Sequence, residues 1–481
     1  MGTLFKKRFD TGISCDVSED FTFPDYQPEI RRVVGVKARA STDGKYLTGD
    51  ELEVDGSVTY TVIYVGADGG LYQASETSSY TGKIPASSDN DRFGVTDLVV
   101  SCACENASCR VSAPRKVTLS SRVKLGVMSQ RAVSADMAAE GEARTKKESV
   151  DCARLCEIRH TSEAEGEIFY KSGASLVLAG GDICISDVCV SGGRATVKGD
   201  VYMNLTLLTP EGDYVNLRKN SPIEDEIALP DEAQEDGVHA VAFATPLMLE
   251  VEGDDGGNIK WKMEYDIDLD VMSTSRGDIV LDAYLTEMED DVKFSEVDAY
   301  YPAASVNGRL TTSATVRARD NMKPIFAWGS ANADKCEVSN GRVMLSGSVK
   351  LSVLTAGGGE VMCEDTVLPI KYEFDAYPGT IDTETGAVLC RAEITVCDIG
   401  MRQDGENVHL TAELAISVSA LGCRKVRFVS EIMPVGEVRK KNGDGCVICV
   451  YAPSGGESSW DVEKRFRLRE PAQAEGEYYI I

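Results

Sequence analysis

The chain has 481 residues, with 50 Lys and Arg against 78 Asp and Glu, a formal net charge of −28 and 43% hydrophobic residues. That length and apolar content supply several cores rather than one. The acidic surplus argues against nucleic acid, which wants a basic footprint, and against anionic membranes. No run approaches the roughly 20 apolar residues that cross a bilayer.

The amino terminus, Met1-Gly2-Thr3-Leu4-Phe5-Lys6-Lys7-Arg8, has no apolar run behind its basic residues. It therefore reads as carrying no secretory leader, and a soluble intracellular protein is expected. Phe23-Pro24-Asp25-Tyr26-Gln27-Pro28-Glu29-Ile30 comes next. Its prolines stiffen an extended lead-in. Pro28 suits the first position of a short helix, with Ile30, Val33 and Val34 on one face.

Beyond it the chain repeats itself. Val54-Asp55-Gly56-Ser57-Val58 is echoed by Val197-Lys198-Gly199-Asp200-Val201 and by Leu345-Ser346-Gly347-Ser348-Val349. Alternating runs follow each copy: Val58, Tyr60, Val62 and Tyr64; Val201, Met203, Leu205 and Leu207; Val349, Leu351 and Val353. Period two with β-branched and aromatic residues predicts strands half buried on a core. Each run meets a turn: Ala67-Asp68-Gly69-Gly70, Pro210-Glu211-Gly212-Asp213, then Ala356-Gly357-Gly358-Gly359. Gly and Asp tolerate the positive φ of tight hairpins, so each unit contains a long antiparallel hairpin.

Each unit closes on a second run, Val117 to Val127, Trp261 to Val271 and Val408 to Val418. From the repeat glycine to the end of that run is 71, 72 and 71 positions. The constant spacing predicts one structural unit used three times. The fold expected is mainly β: three tandem antiparallel domains, residues 1–140, 141–291 and 292–436. A short α+β segment, 437–481, follows them.

Chemistry is harder to find. Asp266, Asp268 and Asp270 open like a calcium loop, but Val271 and Gly277 stand where Gly and Glu are required. A strand explains them better, with Ile267, Leu269 and Val271 inward and the Asp outward. Asp254-Asp255-Gly256-Gly257 reads as a solvated hairpin turn. The 15 Cys are an odd number, and without a leader they predict mostly free, buried thiols. Cys102 and Cys104 share a strand face, with Cys109 nearby. Cys446 and Cys449 form a CxxC without the second pair a zinc site wants. The three His (His160, His239 and His409) are scattered. No nucleophile elbow, phosphate loop, dinucleotide fingerprint or HExxH occurs. Neither an enzyme, a metal nor a cofactor is expected.

The Pro24-Asp25-Tyr26-x-Pro28-Glu29-Ile30 stretch followed by a β hairpin resembles the SPOCS domain. That domain builds the SipL-like spore-coat morphogenetic proteins of endospore-forming bacteria. The resemblance covers roughly residues 16 to 135; the later units follow through the internal repeat, without a clear copy of the lead-in. Tyr451 to Phe466 resembles the first strand and helix of a LysM domain. Gly456, Trp460, Asp461, Val462, Lys464, Arg465 and Phe466 match its pattern, and Glu457, Ser458, Ser459 and Glu463 depart from it. Only 15 residues remain after Phe466, so the second helix is shortened or absent, and Tyr478 to Ile481 supply a closing strand.

The resemblance implies a non-enzymatic scaffold of coat assembly in the mother-cell cytosol. It would dock at the forespore surface on a SpoIVA-type coat ATPase through Gly456, Trp460, Asp461, Lys464, Arg465 and Phe466. LysM modules elsewhere bind N-acetylglucosamine polymers. The alternative is thus a wall-associated protein binding peptidoglycan through this segment, although its departures argue against glycan binding.

Overall fold

A computed structural model describes residues 2–48, 51–85, 98–170, 173–231, 237–253, 257–339, 341–377, 388–436, 450–453, 455–475 and 478–480. It is almost entirely antiparallel β. The first unit contains β1 (Thr3–Thr22), β2 (Ile30–Thr48), β3 (Glu51–Gly66), β4 (Leu71–Pro85), β5 (Leu98–Ala113) and β6 (Lys116–Ser134). They form two three-stranded sheets, β1-β6-β5 and β2-β3-β4. Val58, Tyr60, Val62 and Tyr64 of β3 face Val117, Leu119, Val123, Leu125 and Val127 of β6 across a dry core. Each such side chain, taken out of water, contributes roughly 1.5–3 kcal/mol.

The second unit repeats this order with β8 (Ala143–Phe169), β9 (Ser175–Ser191), β10 (Arg194–Leu208), β11 (Tyr214–Ala228), β12 (Val238–Gly253) and β13 (Asn258–Leu285). The third has β14 (Asp290–Arg317), β15 (Lys323–Ser339), β16 (Arg342–Gly357), β17 (Glu360–Asp375), β18 (Val388–Asp404) and β19 (Asn407–Pro434). Their sheets are β12-β13-β8 with β11-β10-β9, and β14-β19-β18 with β15-β16-β17. Strands one, six and five therefore share one sheet of every unit, and strands two, three and four the other. Between the first two units, β7 (Ala138–Ala139) runs parallel to the end of β19.

The repeated glycine is not where its strand begins. Gly56, Gly199 and Gly347 are each the sixth residue of the middle strand, which starts at Glu51, Arg194 or Arg342. A register shift accompanies each one in its pairing with the preceding strand. A Cβ there would collide with the carbonyl oxygen of Ser41, Cys184 or Asn332. Only glycine lets the bulged neighbour approach this closely, which is why the motif recurs. The hairpin turns follow expectation, with Gly69, Gly212, Gly358 and Gly359 at positive φ. The short helix expected at Pro28 does not form. Residues 24–29 are turn and irregular backbone, and Ile30 opens β2. The Ile30 and Phe23 amides bond back to Pro114 and Arg115 instead, pinning the lead-in across the end of the sandwich.

The three units pack on one another. The first strands β1, β8 and β14 each touch the other two. Leu4, Val150, Cys152, Val297 and Ala299 make the apolar seam there. A second seam joins Ile63, Leu178, Phe326 and Leu354 from the other sheets. A disulfide, Cys184–Cys397, ties β9 to β18. Eleven other described cysteines form no disulfide; Cys446 and Cys449 lie outside the described residues, as do Asp254, Asp255 and Gly256.

After the third unit come β20 (Val450–Tyr451), α1 (Ser459–Phe466), β21 (Gln473–Glu475) and β22 (Tyr478–Ile480). β22 pairs with both β20 and β21, so the chain end does supply a closing strand. No helix among the described residues is long and apolar enough to cross a membrane.

Candidate functional site

The carboxy-terminal module is built around α1. Ser458 caps it: its hydroxyl accepts from the Asp461 amide, and the Asp461 carboxylate accepts from the Ser458 amide at 2.8 Å. This capping box fixes the entry angle, and hydrogen bonds from Ser458 hold the Asp461 carboxyl below its usual range. Val462 is buried beneath the helix. The Phe466 ring meets Tyr451 edge-on at 5.1 Å, and Arg465 pairs with Glu457 at 2.5 Å and donates to the Tyr451 hydroxyl. Gly456 sits at φ 99° with open space around it.

One face of this module is seated on the long β8/β13 ribbon. The Trp460 indole Nε1–H donates to Asp282 at 2.8 Å, and the Lys464 ammonium pairs with the other Asp282 oxygen at 2.6 Å. The Trp460 ring lies 5.3 Å from Tyr284. Tyr284 donates to the Leu468 carbonyl at 2.7 Å, and Arg144 pairs with Glu463 at 3.1 Å. Arg467 ends the helix in left-handed geometry, φ 51°, and its guanidinium grips the Leu285 and Met288 carbonyls and Asp290. The six candidate residues thus divide. Trp460 and Lys464 face the body of the chain. Gly456, Asp461 and Arg465 stay exposed, and Phe466 packs within the module.

In the proline-rich lead-in near the amino terminus, Phe23 and Ile30 enter the first core. Tyr26 stands 84% exposed. Asp25 pairs with Arg115 at 3.0 Å, and the Glu29 carbonyl accepts from Ala67. Pro28 lies against the Gly66 turn. Pro24 offers its carbonyl to Gln27, rounding the turn that displays Tyr26.

Sequence reasoning missed a charged junction where the three units meet. Asp266, Asp268 and Asp270 do point away from the core of their own sandwich, but they do not reach solvent. All three are buried against neighbouring units. Arg391 of β18 is nearly fully buried and donates to Glu157 at 2.7 Å, Asp270 at 3.1 Å, Glu393 at 3.1 Å and Asp268 at 3.4 Å. Its guanidinium also stacks over Phe243 at 4.0 Å. Arg159 holds Asp268 at 2.7 Å and donates to the Thr42 carbonyl of the first unit. Lys45 of β2 pairs with Glu157. With Asp266 3.8 Å from Arg159, three cations thus serve five carboxylates. Burial, with Glu157 and Asp268 nearby, overrides the pull of Arg391 and pushes the Asp270 carboxyl up to about 7. Its Oδ2 has no hydrogen-bond partner. The signal was faint: Arg391 and Glu393 alternate with apolar residues as any outward strand face does.

No protein family, curated protein or solved structure matches this chain.

Proposed function

We propose that this protein is a non-enzymatic scaffold of spore-coat assembly. It works in the mother-cell cytosol and docks a SpoIVA-type coat ATPase at the forespore surface. The observation that carries this reading is the carboxy-terminal module, a capped helix held on the β-rich body by Trp460, Lys464 and Arg467 with Asp461 and Arg465 left outward. Its resemblance to the LysM-like end of SipL-like proteins, together with the Pro24–Ile30 lead-in, gives the partner class. Three units of one strand order supply broad faces and a rigid spacer, which suits a scaffold.

The geometry separates anchoring from docking. Arg465→Glu should abolish recruitment to the forespore coat while the three sandwiches keep their melting temperature, its lost Glu457 and Tyr451 contacts lying within the module. Arg residues are frequent interface anchors, and loss of one commonly costs about 2 kcal/mol or more. Trp460→Ala should release the module from Asp282 and weaken recruitment, while the three sandwiches stay folded. Fluorescence localisation of both variants in sporulating cells, with thermal melts of the purified chains, is the test. Normal recruitment of a chain lacking residues 446 to 481 would place the docking surface elsewhere and defeat the reading.

A further inference from the structure

A second charged cluster between the units has the opposite imbalance. Lys37 and Arg39 sit two apart on β2, so both leave the first sandwich on its outer face. Both turn to one carboxylate, Asp182 of β9. Lys37 Nζ lies 3.0 and 3.3 Å from its two oxygens, and the Arg39 guanidinium pairs with Oδ1. Arg39 commits one nitrogen of a group with five N–H donors. Its remaining nitrogens are not sealed among apolar atoms. Two cavities, of about 460 and 560 Å3, meet at these three side chains. All three units wall the smaller cavity. Thr59 and Thr61 come from the first, Tyr202 and Asn204 from the second, and Trp328 and Phe326 from the third. Asp398 also lines it but is held by Arg218 at 2.8 Å.

A surplus of positive charge in a half-buried site is unfavourable unless a counter-charge joins it. In a chain of net charge −28 it is also conspicuous. Free donors, a cavity wide enough for a small molecule and an aromatic wall converge at one place, the usual make-up of a ligand site.

We propose that this inter-unit cavity binds a small phosphate- or carboxylate-bearing molecule, its anionic group held by Lys37 and Arg39 and its body lying against Trp328. Asp182 pairs with both cations and competes with the ligand. The position of Lys37 agrees with this: burial, with Arg39 as a second cation, holds its ammonium well below the usual lysine range. An incoming anion favours its charged form.

The test is calorimetric titration of the full chain with inorganic phosphate and, separately, with citrate at low ionic strength. Saturable binding of one of them is expected. Phosphate alone binding assigns a phosphoryl ligand, and citrate alone a carboxylate. Arg39→Gln and Lys37→Met should each weaken binding about tenfold or more. Asp182→Asn should strengthen it, an inverted sign that nonspecific ion uptake would not give. Lys83→Gln, on an exposed strand face, should leave it unchanged. Should Asp182→Asn fail to fold, Trp328→Phe serves instead: it should remove the ligand-induced change in emission yet keep the calorimetric affinity within a few-fold. Absence of saturable binding of both anions up to about 10 mM, or affinity retained in Arg39→Gln, overturns the proposal.

Discussion

The two ionic clusters between the units are near mirror images in charge. Around Arg391, three cations are outnumbered by five carboxylates, and Asp270 is driven up towards neutrality. Around Asp182, one carboxylate is outnumbered by two cations, and burial pushes Lys37 well below its usual range and Arg39 to about 10. Both lie where outer sandwich faces meet, the first buried and the second half-buried. The difference is in what closes each contact. At the acid-rich junction all three units are joined through charge, with the Arg391 guanidinium at the hub. Near the base-rich one a covalent clamp is present, since Cys184 follows Asp182 by two positions on β9 and its partner Cys397 lines the same cavity. A charge cluster with a hub holds an interface; one with spare donors and an adjoining cavity leaves room for something else.

Removing the hub should have the largest effect. Arg391→Met leaves the buried Asp268, Asp270 and Glu157 without their shared cation, and should cost about 3–5 kcal/mol. Urea midpoints and small-angle scattering would register it, the units loosening together. A variant as stable and compact as the wild type would show that the apolar seams alone hold the assembly.

Opening the clamp comes next. Reduction, or Cys184→Ser with Cys397→Ser, should lower stability by about 3 kcal/mol, the usual scale for a bond closing a long loop. Alkylation with mass spectrometry fixes the fraction bonded. An unchanged melt in a fully reduced chain would break the contrast between a covalent and an ionic interface.

The pH response separates the clusters further. Asp270 titrates near 7 when folded, above the ordinary carboxylate value. The folded chain therefore keeps a proton that the unfolded chain releases between about pH 4 and 7. The stability this gives is full below about pH 4 and is lost as pH rises through 7. Asp270→Asn abolishes that loss, so at pH 8 the variant should exceed the wild type by about 1 kcal/mol or more, and the gap should close towards pH 4. Thermal melts across that range check it, and a gap independent of pH would assign the titration elsewhere.

The smallest effect is expected at the base-rich cluster. Lys37 is depressed, so the folded chain binds fewer protons than the unfolded one, and its contribution to stability rises with pH. Lys37→Met leaves Arg39 paired one-to-one with Asp182. At pH 7 it should melt no lower than the wild type, in contrast to Arg391→Met. A loss above about 1 kcal/mol would mean that both cations are structural, and that the two clusters are alike.

Much of each unit was legible before folding was considered. Val58 to Tyr64, Val201 to Leu207 and Val349 to Val353 are central strands because alternation with β-branched residues can bury only one face. The turns at Gly69, Gly212 and Gly358 follow from the φ they require. The constant interval from repeat glycine to closing strand marks one unit used three times. Pro28 misled because its compatibility with a helix start is a local preference, and the amides of Phe23 and Ile30 found better partners across the sandwich.

The limit of that legibility is set by period two itself. Alternation tells which side chains leave their own sheet, not what covers them afterwards. Asp266, Asp268 and Asp270 leave the second sandwich as their spacing requires, and an outward Asp is ordinarily a solvated one. Whether water or Arg391 meets them depends on a strand more than 120 positions away in sequence. Trp460 likewise reads as a docking aromatic, but the long β13 ribbon brings Asp282 and Tyr284 beneath it. The sequence by itself determined the strands, their inward faces and the threefold repetition, because those depend on neighbours within a few residues or within one sheet. The ionic hub, the cavity at Lys37 and Arg39, and the seat of α1 were decided only when three sandwiches packed together, because each is made from the outer faces that local periodicity leaves unassigned.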